Sequence, residues 1–256
     1  MLSEEQVSFY RTNGYLHVPG VITPDEVRCL SDELEWIFET WANHDAAWQG
    51  PWRERYLTEV ERESAKLIAM NDMHLYSEQW NRITSDPRIV GILSSLLGPN
   101  VELHHTTLHA KPPETGSPFP LHQDDAFFGH ERDTYLDAIL HIDDTPKETG
   151  CLRFIPGSHK GGPLEHIRNG APHLPTDTYR LDDCVPVPAK AGDLVLFCLW
   201  TIHGSDLNRT DHWRRVVRMG YRDPSNPQLT GHALGRLGWM VRGRRSRGAA
   251  AELQTR

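Results

Sequence analysis

Apolar residues recur at helical spacing through the first hundred positions, and after Gly98 the spacing changes to alternation. Ser3-Glu4-Glu5-Gln6 has the form of a capping box, with Ser3 as N-cap and Gln6 three residues on. The short helix it opens carries Val7, Phe9 and Tyr10 and is expected to stop at Gly14. Tyr15-Leu16-His17-Val18 then reads as a short strand. Thr23-Pro24-Asp25-Glu26 starts a second helix, with proline in the first turn and acids near its positive end. It runs to about Thr40 with Val27, Leu30, Leu34 and Ile37 on one face. Asp86-Pro87 opens another helix, with Ile89, Ile92, Leu93 and Leu96 inward, and Gly98-Pro99 ends it. Between these lies a stretch, 41–65, that sets Trp41, Trp48, Trp52 and Tyr56 among many charges. Two readings stand for it: a surface insertion pinned by aromatics, or part of a lid over a pocket.

From Val101 to Lys111 the alternation places His105, Thr107, His109 and Lys111 on one strand face. A polar face is out of place inside a sheet unless it lines a wet pocket. Tyr135 to Asp143, Cys151 to Ile155, Val185 to Val187, Asp193 to Phe197 and Val216 to Arg222 also read as strands, separated by turns rich in Gly, Pro and Asp. Helices first and many short strands afterwards predict one α+β domain, mainly β: a double-sheet jelly roll with N-terminal helices packed outside. Its parts are a helical stretch at 1–100, the jelly roll at 101–225 and a C-terminal tail at 226–256. Arg244, Arg245 and Arg247 and the small residues after them read as a solvated terminus.

Composition narrows the partners. The 256 residues carry a net charge of −8, which argues against nucleic acid. No apolar run approaches the length of a membrane span, and Met1-Leu2-Ser3-Glu4-Glu5 is acidic where a signal peptide would be basic. Cys29, Cys151, Cys184 and Cys198 show no metal-knuckle spacing, and a reducing cytoplasm is the expected setting.

The candidate chemistry begins at Leu121-His122-Gln123-Asp124. On an extended strand His122 and Asp124 would point the same way, supplying two thirds of a 2-His-1-carboxylate facial triad for non-heme Fe(II). A second cluster runs from His203 to Arg215. There His203 is expected to end one strand and Arg214 to begin the next, so that a hairpin sets them side by side. An arginine fork grips a carboxylate bidentately, so such a cavity suits a metal with a dicarboxylate co-substrate. The alternative is that Arg214 and Arg215 pair with Asp206 or Asp211 at the surface.

Taken together, these segments carry a resemblance. Lys111-Pro112-Pro113, Leu121-His122-Gln123-Asp124, Gly150-Cys151-Leu152 leading to Pro156-Gly157-Ser158-His159-Lys160-Gly161, Lys190-Ala191-Gly192-Asp193, and His203-Gly204-Ser205 with Asn208, Thr210 and Arg214 occur in order. The chain resembles the phytanoyl-CoA dioxygenase family of Fe(II)- and 2-oxoglutarate-dependent oxygenases, over nearly its whole length and most strongly over 105–222. The resemblance implies a double-stranded β-helix with iron at one open end, held by His122, Asp124 and His203. It implies Arg214 as the clamp on the distal carboxylate of 2-oxoglutarate, assisted by Ser205, with Thr107 as a further contact. O2 would be the second co-substrate. His105 and His109 become pocket-lining candidates or hydrogen-bonded interior histidines. Phe128 and His141 are expected to border a mixed polar and apolar substrate site.

The implied reaction oxidises a C–H bond of a small metabolite or natural-product intermediate while 2-oxoglutarate gives succinate and CO2. Asp124 argues against halogenation, where related enzymes replace the carboxylate so that chloride can bind, but hydroxylation, cyclisation and epimerisation share the triad. Three readings compete: an acyl-CoA hydroxylase, for whose phosphates the acidic chain offers no clear basic patch; a jelly-roll binding protein without turnover; and a zinc hydrolase, which leaves Arg214 and Ser205 without a purpose.

Overall fold

A computed structural model describes residues 1–245. The N-terminal elements are α1 (Glu4–Asn13), β1 (Tyr15–Val18), α2 (Pro24–Thr40), α3 (Arg53–Tyr56), α4 (Glu59–Ser64), β2 (Ile68–Asn71), α5 (Glu78–Ile83) and α6 (Pro87–Leu97). After them come β3 (Val101–Lys111), β4 (Phe119–His122), α7 (Asp125–Phe128), β5 (Tyr135–His141), β6 (Leu152–Phe154) and β7 (Val185–Val187). The last four are β8 (Leu194–Cys198), β9 (His203–Ser205), β10 (Arg214–Arg222) and β11 (Trp239–Arg242). The capping box expected at Ser3 forms, and Thr23 forms a second one with Glu26, each side chain accepting from the backbone three residues on. Gly14 ends α1 in the left-handed region at φ 81°, where a glycine carries no Cβ penalty.

The strands make two antiparallel sheets. The major sheet runs β1-β8-β5-β10-β3-β11, with β2 also on β3; the minor sheet runs β4-β9-β6-β7. One face of the major sheet packs on the helices: Leu103, Leu108, Leu136, Leu140, Leu196 and Val217 meet Leu34 and Ile37 of α2 and Ile89 and Leu93 of α6. Its other face looks toward the minor sheet, where Ile139, Val195, Phe197 and Val216 meet Leu152 and Phe154. This is the predicted jelly roll with helices outside. The alternation in β3 holds, with Leu108 and Ala110 toward the helices and His105, Thr107 and His109 lining the cavity between the sheets.

Three local expectations change. His203 and Arg214 are not the ends of one hairpin: His203 begins β9 in the minor sheet and Arg214 begins β10 in the major sheet. The two meet because the sheets face one another. Residues 41–65 are both pinned and pocket-lining. Asn43 and Ala46 hydrogen-bond to Ala69 and Leu67, and Trp52 is buried, while Trp41 and Trp48 face the cavity. Third, the chain from 226 to 245 is not a free tail. It adds β11 to β3, and Arg245 pairs with the buried carboxylate of Glu102. Arg247 lies outside the described residues. Among the described residues, no helix is long and apolar enough to cross a membrane.

Candidate active site

His122, Asp124 and His203 converge at the open end between the sheets, with one ligand atom of each within 4.8 Å of the others. The His-x-Asp pair meets by a different route from an extended strand. His122 is the last residue of β4, and Asp124 has already turned into the αR region at the head of α7. Gln123 anchors the turn: its side-chain amide donates to the carbonyls of Gly162 and Trp200, and its oxygen accepts from Leu164 N–H. Each histidine Nδ1 sits against a backbone carbonyl two residues upstream, Pro120 at 2.7 Å for His122 and Thr201 at 3.0 Å for His203. That bond fixes the Nδ1–H tautomer and leaves the Nε2 lone pair facing inward. The two Nε2 atoms lie 3.3 and 3.7 Å from Asp124 Oδ1. Burial, followed by the neighbouring His122, lowers His203 to about 4, so it is neutral at physiological pH. Burial acts to raise Asp124, but His203, His122 and Arg218 outweigh it and hold the carboxyl well below its usual range. Two imidazoles with inward-facing Nε2 atoms and a carboxylate, with Asp124 Oδ2 buried and without a hydrogen-bond partner among the described residues, fit a divalent first-row metal.

Arg214 is 1% exposed and lines the same cavity. Among the described residues its buried Nε has no acceptor, and the nearby Asp143 is taken by Arg215 at 2.7 and 2.9 Å. Neither arginine pairs at the surface with Asp206 or Asp211. Burial pushes Arg214 down to about 10, still charged at neutral pH. A buried guanidinium facing an open cavity without a carboxylate is costly unless an anion joins it. Ser205 lines the cavity beside it, and Lys111 Nζ donates to Ser205 Oγ at 2.8 Å. Burial, followed by the neighbouring Arg214, lowers Lys111 well below the usual lysine value, and its contact holds the Ser205 hydroxyl in place beside Arg214.

The other expected site residues fall in different places. Thr107 lines the cavity, but its single hydroxyl proton goes to Asn71 Oδ1 (3.1 Å) while it accepts from Arg218 (3.0 Å). It therefore offers 2-oxoglutarate no donor in this arrangement. His105 is tied to His104 and Arg218. His109 lies over the Phe119 ring at 5.0 Å, and burial lowers it to about 3. Phe128 lines the cavity and packs under Arg218 at 4.8 Å. His141 shares the inward face, opposite Val216, and among the described residues neither ring nitrogen has a partner, but it is not among the cavity-lining residues. Among the contributors that escape the sequence pattern are Arg218, Asp137, His232 and Arg236. Arg218 is 3.7 Å from Asp124 Oδ2 and 2.8 Å from Asp137. Only the register of β10 against β5 brings them together.

A double-stranded β-helix with this donor set and a free buried arginine defines the class: the chain is an Fe(II)- and 2-oxoglutarate-dependent dioxygenase. Residues 10–216 match the profile of phytanoyl-CoA dioxygenase (PhyH), and the chain belongs to that family. A probable alpha-ketoglutarate-dependent hypophosphite dioxygenase from Stutzerimonas stutzeri is 27% identical over 227 residues, covering 85% of this chain and 77% of its own. The peroxisomal phytanoyl-CoA dioxygenase of Rattus norvegicus is 28% identical over 242 residues, covering 86% and 68%. Among solved structures, the non-heme alpha ketoglutarate dependent epimerase SnoN from nogalamycin biosynthesis superposes with a TM-score of 0.70 at 25% identity, over 88% of this chain and 84% of its own. The carbocyclase SnoK shares the fold at TM-score 0.76 and 24% identity, over 96% and 94%.

Proposed function

We propose that His122, Asp124 and His203 hold Fe(II), and that Arg214 and Ser205 hold the distal carboxylate of 2-oxoglutarate, for hydroxylation of a small organic substrate. The observation that carries this reading is Arg214: a buried guanidinium without a carboxylate partner among the described residues, in the cavity that the triad faces. When bound, iron supplies O2 activation, driven by loss of CO2 from 2-oxoglutarate to give succinate. The chain supplies the rest. The Pro120 and Thr201 carbonyls hold the two imidazoles in the ligating tautomer. Arg218 keeps Asp124 ionised and aimed. Trp48, 5.0 Å from the His122 ring, and Phe127 wall the site against water. The four free thiols fit a reducing, cytoplasmic setting.

Anaerobic protein with Fe(II) and 2-oxoglutarate is expected to develop a weak visible charge-transfer band that His122→Ala abolishes. Absence of the band in the wild type, with zinc-supported hydrolysis instead, would overturn the assignment. Arg214→Ala should raise the 2-oxoglutarate requirement roughly 100-fold, the usual scale for losing one side of a buried charge pair. Its Fe(II) affinity should stay near that of the wild type; equal loss of both would remove the clamp role.

A further inference from the structure

The outer part of the cavity is walled by aromatic rings. Trp41 and Tyr76 meet at 5.1 Å. Trp48 lies 4.9 Å from Phe127, and Phe127 runs nearly parallel to His232, with 16° between their planes. All five line the cavity. Trp41 and Tyr76 are 53% and 44% exposed, so they form a rim and not a core. Large aromatics left open at the mouth of a concave site are surface that a ligand can cover.

The charges of the wall are already matched. Arg236 donates twice to Asp72, at 2.7 and 2.8 Å, and Arg218 pairs with Asp137. Arg214 belongs to the co-substrate end. Among the described lining residues these are the arginines, and no lysine joins them, so no free cation faces a phosphate at the mouth. Two polar groups do remain. Asn43 and Asn71 accept through their side-chain oxygens, from Asp45 N–H and the Thr107 hydroxyl, and among the described residues their amide N–H groups donate to nothing. The cavity measures about 680 Å³. That is the size of a site for a drug-sized molecule, and it has to hold 2-oxoglutarate at its Arg214 end as well as the substrate at its aromatic mouth.

We propose that the substrate is a flat, uncharged, ring-bearing molecule of natural-product size with oxygen acceptors at its edge. Its rings lie against Trp41, Tyr76, Trp48 and Phe127, and its edge accepts from Asn43 and Asn71. The proposal rests on the oxygenase reading of the triad and goes beyond it by excluding CoA thioesters and small zwitterions.

The test uses the full chain loaded anaerobically with Fe(II) and 2-oxoglutarate and titrated calorimetrically with 7-methoxyflavone, acetyl-CoA and L-proline. The flavone is expected to bind in the micromolar range, with no measurable heat from the other two. Trp41→Ala and Tyr76→Ala should each weaken flavone binding roughly tenfold, the scale of one lost ring contact. Both side chains are exposed, so the variants should keep the wild-type unfolding temperature. Tighter binding of acetyl-CoA or proline than of the flavone would overturn the proposal, as would flavone affinity indifferent to both substitutions. The charge-transfer band of the same wild-type sample separates the two readings. A band without flavone binding removes the substrate class alone, whereas a missing band removes the oxygenase reading beneath it.

Discussion

Arg218 is 8% exposed, and its guanidinium serves several neighbours at once: Asp137 at 2.8 Å, Asp124 at 3.7 Å, Thr107, His105 and the face of Phe128. Asp124 needs such a neighbour. Burial favours a protonated carboxyl, and a fixed positive charge opposes that. Arginine's planar fork reaches several acceptors in fixed directions, which a lysine ammonium does not. Arg218→Lys keeps the charge and loses the fork. We expect it to lower Fe(II) affinity by about 10- to 100-fold, as for the loss of other groups that orient a ligand. Its 2-oxoglutarate affinity at saturating iron should stay near that of the wild type. Equilibrium dialysis of the metal, followed by co-substrate titration, checks both; unchanged metal affinity would reduce Arg218 to a packing residue.

At the scale of elements, the helices and the site are separable. Leu34 and Ile37 of α2 are fully buried against the outer face of the major sheet, while the site occupies the inner face. Leu34→Ala should therefore cost about 2–5 kcal/mol of stability through the cavity it leaves, with the 2-oxoglutarate KM unchanged. Chemical denaturation and a KM measurement decide it, and a KM that rises with the loss of stability would mean the layers are coupled. The same layering explains what the sequence made legible. Helix α2 shows its apolar face at helical spacing, and β3 shows its polar inner face by alternation over eleven residues. By contrast β4 and β9, which present His122 and His203, have four and three residues, too few for any period. Their ligands were legible by residue type and spacing, but their sheet was not. Strand β11 lies in a stretch rich in arginine and glycine, where nothing local outweighs the reading of a tail. Its place depends on Glu102, more than a hundred residues earlier, which receives both Arg222 and Arg245. Arg218 and Asp137 were hidden for the same reason, since strand register is long-range information.

For the molecule as a whole, the polar interior that makes a site also sets an acid limit. Burial, the largest influence in each case, holds His104, His109, His130 and His141 at about 3, well below the ordinary histidine value of about 6.5. Between those values the unfolded chain binds protons that the folded chain refuses. Stability is therefore complete above about pH 6.5 and is lost progressively as pH falls toward 3. Each such histidine removes at most about 1.4 kcal/mol per pH unit, so four together remove several kcal/mol by about pH 5. That is comparable to the whole stability of an ordinary domain, about 5–15 kcal/mol. The metal-free protein should thus unfold in mild acid, with a midpoint between pH 4 and 6 by circular dichroism. Fe(II) ought to move that midpoint downward, because metal binding requires His122 and His203 neutral and favours the folded state. Stability that stays flat from pH 7 to pH 4.5 without metal would mean that these histidines find water or a proton in the folded state, and that the interior is wetter than its packing implies.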